Sequence, residues 1–348
     1  MFIPDYQNIV NAAENKPSSR IPVYEHIIAP KIMETMQGKK FEQLLEGNYS
    51  DKQEFFRNYS GFFKDYGYDA VSFELGVPQV MPGSGALRDN AEGAIKNRAD
   101  FDAYPWDAIP DFFFEKYREF YRAFGETMPP GMKGIGGVGY GVFEIVQDLV
   151  GFQELCYIKV DDEDLYAALF SKVGGLLANI WDRFLKEFAD IFCVCRFGDD
   201  LGFKSSTLIS AEDIRLHIIP QYRRLADLAH AHGKPMLFHS CGYLFDVMDD
   251  IISGSKIDAK HSNEDVIAPY SRWIDDYGDK IGNFGGLDTD VLCASSSVDV
   301  VAYTTDIYRL CEKKGRGVAI GSGNSIPDYV DPARYGQAID TIRRLRGE

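Results

Sequence analysis

Long apolar runs are missing from this sequence. None approaches the ~18 residues that a membrane span requires, although 45% of the 348 residues are hydrophobic. Positive charge is also scarce: 37 lysines and arginines face 53 aspartates and glutamates, a formal net charge of −16. That balance argues against nucleic acid as a partner, because phosphates demand basic surface, and it speaks against anionic membranes. Cysteines number six (Cys156, Cys193, Cys195, Cys241, Cys293 and Cys311). They sit mainly inside apolar runs, and reduced thiols in a cytoplasmic enzyme are the expectation. Residues 1–20 are polar and broken by Pro4 and Pro17, so no secretory signal is expected. Repeats and low-complexity linkers are lacking. No G-x-G-x-x-G follows the first strand, and GIGGVG at 134–139 lies within a strand, so a dinucleotide fold lacks its main signal.

What is present is an alternation of strand-like and helix-like segments. The predicted strands are IPVYEH (21–26), DAVSFEL (69–75), KGIGGVGY (133–140), DIFCVCRFGDD (190–200), KPMLFHSCG (234–242), KIDAKHS (256–262), KIGNFGGLD (280–288) and GVAIGSGN (317–324). Between them, 163–189 and 210–233 carry apolar residues at helical spacing. The second opens at Ser210 with Asp213 three residues on and closes at Gly233, as capped helices do. Eight strands with helical connections read as a (β/α)8 TIM barrel. The whole chain, 1–348, is expected to form one domain with 1–20 as an N-terminal extension.

Catalytic groups of such barrels lie at the C-terminal ends of strands. Here those ends carry His26, Glu74, Tyr140, Asp199, Asp200, His239, Cys241, His261, Glu264, Asp288 and Asn324. His239 and Cys241 stand at i and i+2, so imidazole and thiol share one face of a strand. Zinc accepts imidazole, thiolate and carboxylate in tetrahedral geometry. Glu264, beyond the next strand, is the expected third ligand, with His261 a competitor for that role or, in preference, a group behind the ligands. Of Asp199 and Asp200 at most one faces the pocket, where it could act as acid, base or orienting group. Glu74 ends an apolar strand as a partly desolvated carboxylate. Cys193 and Cys195 are expected in the core.

The ordered series FGDDLGFKSSTLISAEDIR, HGKPMLFHSCGYLFDVMDDII, IDAKHSNEDVIAP, YGDKIGNFGGLDTDVL and GSGNSIP resembles the uroporphyrinogen decarboxylase-like superfamily, and within it the corrinoid-linked zinc methyltransferase branch. The resemblance covers roughly residues 20–345 and implies the same barrel fold. SSRIPVYEHIIAPKIM lacks the tandem arginines of true uroporphyrinogen decarboxylases, which hold porphyrinogen carboxylates, so that activity is set aside. The family's methyltransferases use His-x-Cys, often a carboxylate, and a late Cys. His239, Cys241 and Glu264 match the first three, and Asn324 stands in the late position.

A His/Cys/Glu site with zinc sums to zero charge and is the better Lewis acid, which favours a methyl ether or methylamine over a thiol. The resemblance implies methyl transfer, O-demethylation included, between a small methylated substrate and a corrinoid (cobalamin). Glu74, Asp199 and Tyr140 would serve catalysis; His261, Asn324 and Asp288 would contact substrate. The D-x-H-x-x-G of corrinoid-binding domains is absent, so the corrinoid is expected on a partner protein. A homodimer stays open. Two competing readings are a metal-free lyase using Glu74 and Asp199, and a non-catalytic corrinoid- or tetrapyrrole-binding protein.

Overall fold

The computed structural model describes residues 2–88 and 91–348. Seven parallel strands run in sequential order: β1 (Val71–Gly76), β2 (Gly134–Gly139), β3 (Phe192–Gly198), β4 (Met236–His239), β5 (Ala259–His261), β6 (Gly282–Leu287) and β7 (Val318–Ser322). β2 to β7 are buried along their whole length, as helix-covered parallel sheets demand, whereas β1 is buried at Val71 and Ser72 and half-buried beyond. Helices follow the strands, the longest being Glu163–Phe188. The chain has the (β/α)8 barrel fold.

One expected strand differs. Residues 21–26 form only an isolated bridge, Val23 to Ile320 of β7. Tyr24 N donates to Ile320 O (3.0 Å) and Ile320 N to Pro22 O (3.0 Å). Pro22 has no N–H to continue the ladder. On the other side the link to β1 is a side chain, Ser72 Oγ donating to Glu25 O. This segment fills the eighth position, between β7 and β1, with few backbone bonds.

The remaining punctuation follows the sequence. Ser210 Oγ accepts from Asp213 N at 3.1 Å and starts the predicted helix, which carries a π turn at Ile214–Ile218 before continuing over Ile219–Ala231. Within residues 1–20, helix Gln7–Ala13 packs Ile9, Ala12 and Ala13 beneath the barrel against Ile135, Val194, Leu237, Ala259, Phe284 and Ala319. The N-terminal end of the barrel is thereby plugged. Cys193 and Cys195 are buried.

Candidate metal and catalytic site

β4 and β5 are neighbours, and His239 is the register partner of His261. Both rings point into the barrel. His239 Nδ1 and His261 Nδ1 are 2.7 Å apart, and His261 Nε2 lies 2.9 Å from Ser322 O. A carbonyl can only accept, so His261 carries its proton on Nε2 and its Nδ1 is an acceptor. His239 must then donate from Nδ1, which leaves its Nε2 with a bare lone pair. Burial pushes both imidazoles down, His239 well below its ordinary value and His261 to about 3, so the neutral forms assumed here hold. Gly285 makes room for this pair. A Cβ there would stand 2.7 Å from Asn263 Oδ1 and 3.2 Å from His261 Cδ2, and its φ of +117° suits only glycine.

The free Nε2 of His239 faces Cys241 Sγ at 3.5 Å and Asp200 Oδ1 at 3.8 Å. The three ligand atoms lie within 4.8 Å of one another. Metal bonds of about 2.0–2.3 Å at a tetrahedral angle put ligand atoms roughly 3.3–3.8 Å apart, so the arrangement fits a zinc ion with little movement. Burial pushes the Cys241 thiol up. A metal-free site keeps the proton, and a dication would release it. Asn324 Nδ2 donates to Cys241 Sγ at 3.2 Å, and its Oδ1 accepts from Ser325 N at 2.8 Å, which fixes the amide's orientation. A second trio, His26, His239 and His261, is also close, but the 2.7 Å Nδ1–Nδ1 contact is a hydrogen bond, too short for two ligands of one ion. His26 instead stacks on His239 with ring centroids 3.8 Å apart.

Several sequence expectations change here. The third group beside His239 and Cys241 is Asp200, not Glu264. Glu264 lies in the loop beyond a three-residue strand and lines a cavity of about 380 Å³ with Asp288, Asp290, Asn324 and Tyr329. Burial raises its carboxyl, and Asp288 adds to the effect. Asp199 is also displaced from the pocket. It accepts from the N–H groups of Phe143 (2.9 Å) and Glu144 (2.7 Å) and from Tyr222 Oη (2.7 Å), so it caps helix Val142–Val150 from the outer face of β3. Burial, opposed by those donors, pushes it up to about 7. Glu74 is not a lone carboxylate: buried Arg196 donates to it from Nε at 2.8 Å and reaches Tyr24 Oη (3.1 Å) and Ser72 Oγ (3.3 Å) from Nη1.

Tyr140 follows β2 directly, at φ +70°, a left-handed conformation rare for a tyrosine, and burial raises its phenol. Asp288 organises loops, accepting from Asp290 N (2.8 Å) and Asp265 N (2.6 Å). The sequence reading left out Glu144, whose carboxyl is pushed well up by burial and by neighbouring Asp200. It also left out Arg196, a lone charge inside an apolar strand, which was a visible signal.

No family model matches the sequence, and no curated protein matches it. Among solved structures, a methyltransferase from Methanosarcina mazei aligns over 97% of this chain and 98% of its own, with TM-score 0.69 and 13% identity. A Listeria monocytogenes protein assigned as a vitamin-B12-independent methionine synthase aligns over 100% and 98%, with TM-score 0.47 and 12% identity. The first likeness shows that the two chains share the barrel fold end to end.

Proposed function

We propose that this chain is a zinc methyltransferase that moves a methyl group between a small methylated substrate, of methyl ether or methylamine type, and a corrinoid carried on a partner protein. The observation that carries the proposal is the convergence of His239 Nε2, Cys241 Sγ and Asp200 Oδ1, with the proton directions behind His239 leaving its lone pair free. These three residues would hold the ion and leave a fourth position open. Zinc there supplies a Lewis acid toward the substrate's heteroatom. Neutral imidazole, thiolate, carboxylate and a dication sum to zero. Asn324 donates to the sulfur, drawing charge from it, which further favours an oxygen or nitrogen heteroatom over a thiol. His261 and Ser322 hold the His239 ring, Cys241 N donates to Asp200 Oδ1 at 2.8 Å, and Tyr140 and Glu144 face the same mouth as candidate proton carriers.

The barrel mouth supports the partner. Loops after β3, β5 and β7 expose Phe203 (60%), Val266 (70%) and Tyr329 (69%), apolar groups on one face of an otherwise acidic chain, suited to a docking protein. A metal-free lyase built on Glu74 and Asp199 is disfavoured, because Arg196 and a helix N-terminus already occupy those carboxylates.

Zinc content of protein prepared without chelators tests the reading. Near-stoichiometric zinc in the wild type, lost in Cys241→Ser, is expected, followed by demethylation of ethers or amines when a reduced corrinoid protein is supplied. A wild type that takes up no zinc on reconstitution would end the proposal.

A further inference from the structure

Both arms of the site lead back to one residue. Ser322 gives its carbonyl to His261 Nε2 (2.9 Å), and its hydroxyl lies 2.5 Å from Asn324 O. His261 leads on to His239, and Asn324 to Cys241. Behind Ser322 lies Glu25, buried, on the irregular first strand. Ser322 N donates to both Glu25 carboxyl oxygens at 3.1 Å, and Ser322 Oγ contacts Glu25 Oε2. Gly321 permits the approach, since a Cβ there would strike Tyr24 O at 1.6 Å.

The protons can be counted. Ser322 Oγ has one hydrogen and two oxygens within bonding distance. Asn324 O can only accept, so the hydroxyl hydrogen belongs there. Two bare acceptors, Oγ and a carboxylate Oε2, cannot share the remaining contact, so Glu25 must supply the second proton. The partners of its carboxyl, Ser322 and Tyr335, bring no formal charge, and burial raises it to about 8, in agreement with the count. The direction therefore runs Glu25 O–H to Ser322 Oγ and Ser322 O–H to the main-chain carbonyl of Asn324, whose side chain in turn donates from Nδ2 to Cys241 Sγ.

We propose that Ser322, seated by a protonated Glu25, is the positioning hub of the site: its carbonyl sets the tautomers of His261 and His239, and its hydroxyl sets the Asn324 amide against the Cys241 sulfur. The inference rests on the reading of His239 and Cys241 as a metal pair, but it makes its own claim about the metal-free protein. Ser322→Ala removes only the hydroxyl arm. In metal-free protein, site-resolved alkylation of Cys241 then changes rate severalfold, while the ring-nitrogen NMR shifts of His239 and His261 stay in their Nδ1–H and Nε2–H forms.

Zinc affinity falls on the order of 10-fold, the scale of an outer partner of a ligand. Glu25→Ala disturbs both arms. Glu25→Gln, whose amide donates where the acid did, rescues zinc affinity, Cys241 reactivity and the histidine shifts. If Glu25→Gln is as damaging as Glu25→Ala, Glu25 acts as a carboxylate and the proton count is wrong. If Ser322→Ala leaves Cys241 reactivity unchanged, or moves the histidine tautomers, the two-armed hub is wrong. Absence of zinc binding in the wild type would remove the metal reading alone, since the alkylation and NMR outcomes still decide the hub.

Discussion

The two sides of the barrel mouth solve the problem of buried polarity in opposite ways. On the β4–β5–β7 side, His239, His261, Ser322, Asn324 and Glu25 form chains of neutral groups with their protons in one direction. On the side of β1, β3 and the first strand, charge cancels charge or meets a helix end: Arg196 binds Glu74, and Asp199 holds the start of helix Val142–Val150. The neutral side has something left over, a lone pair on His239 and a thiol beside it. On the charged side the carboxylates of Glu74 and Asp199 are both engaged. In the proposed site the chemistry would fall to what remains unpaired, with Asp200, at the border of the two sides, as its third group.

The contrast can be broken from the charged side first. Arg196→Met leaves Glu74 without its buried partner and is expected to cost about 3–5 kcal/mol of stability, read by denaturant unfolding; zinc binding at the folded protein should persist. A loss of stability under about 1 kcal/mol would show that the pair is not structural. Next, Asp200→Asn should weaken zinc by more than the ~10–100-fold typical of outer partners, whereas Glu264→Gln should leave it within about threefold, the scale of a screened distant charge. Calorimetric titration separates them, and the reverse ranking would restore Glu264 as ligand.

The smallest effect is expected at Asp199. Asp199→Asn loses part of a helix cap, about 1 kcal/mol, without changing zinc affinity. It should also alter the pH profile. Its folded-state pKa lies above the aspartate reference, at about 7, so the native state keeps a proton that the unfolded chain releases. The corresponding stability is fully present below about pH 4 and is lost as pH rises through about 7. The asparagine variant should lack this slope in a series of thermal melts, and an unchanged slope would place the titration elsewhere.

Much of the fold was legible because parallel strands buried on both faces read as apolar runs bounded by helices. The weak first strand was not, since its apolar pattern matched the others and only Pro22 hinted at the missing ladder bond. His239 and Cys241 were legible from their spacing. Choosing between Asp199 and Asp200 needed the parity of β3. Arg196 points inward to Glu74 and Tyr24, and residue 200 shares its face while 199 does not. Glu264 could not be placed from sequence because loop geometry follows a strand of only three residues. The role of Glu25 was hidden for a simpler reason: its partner Ser322 is 297 positions away.

That separation bears on how the chain folds. Strands β1 to β7 each find the next one along the sequence, but the seam between residues 22–28 and 318–326 joins the two ends of the molecule. Such long-range closure carries a loop-entropy cost that local contacts do not. Glu25 reaches Ser322 only when the seam is shut, and both arms of the site pass through Ser322. A chain with every helix formed and the seam open would hold His239 and Cys241 in sequence but not in proton register. Competence at the mouth is thus tied to closure of the barrel, and a chain with an open seam would not present a finished site.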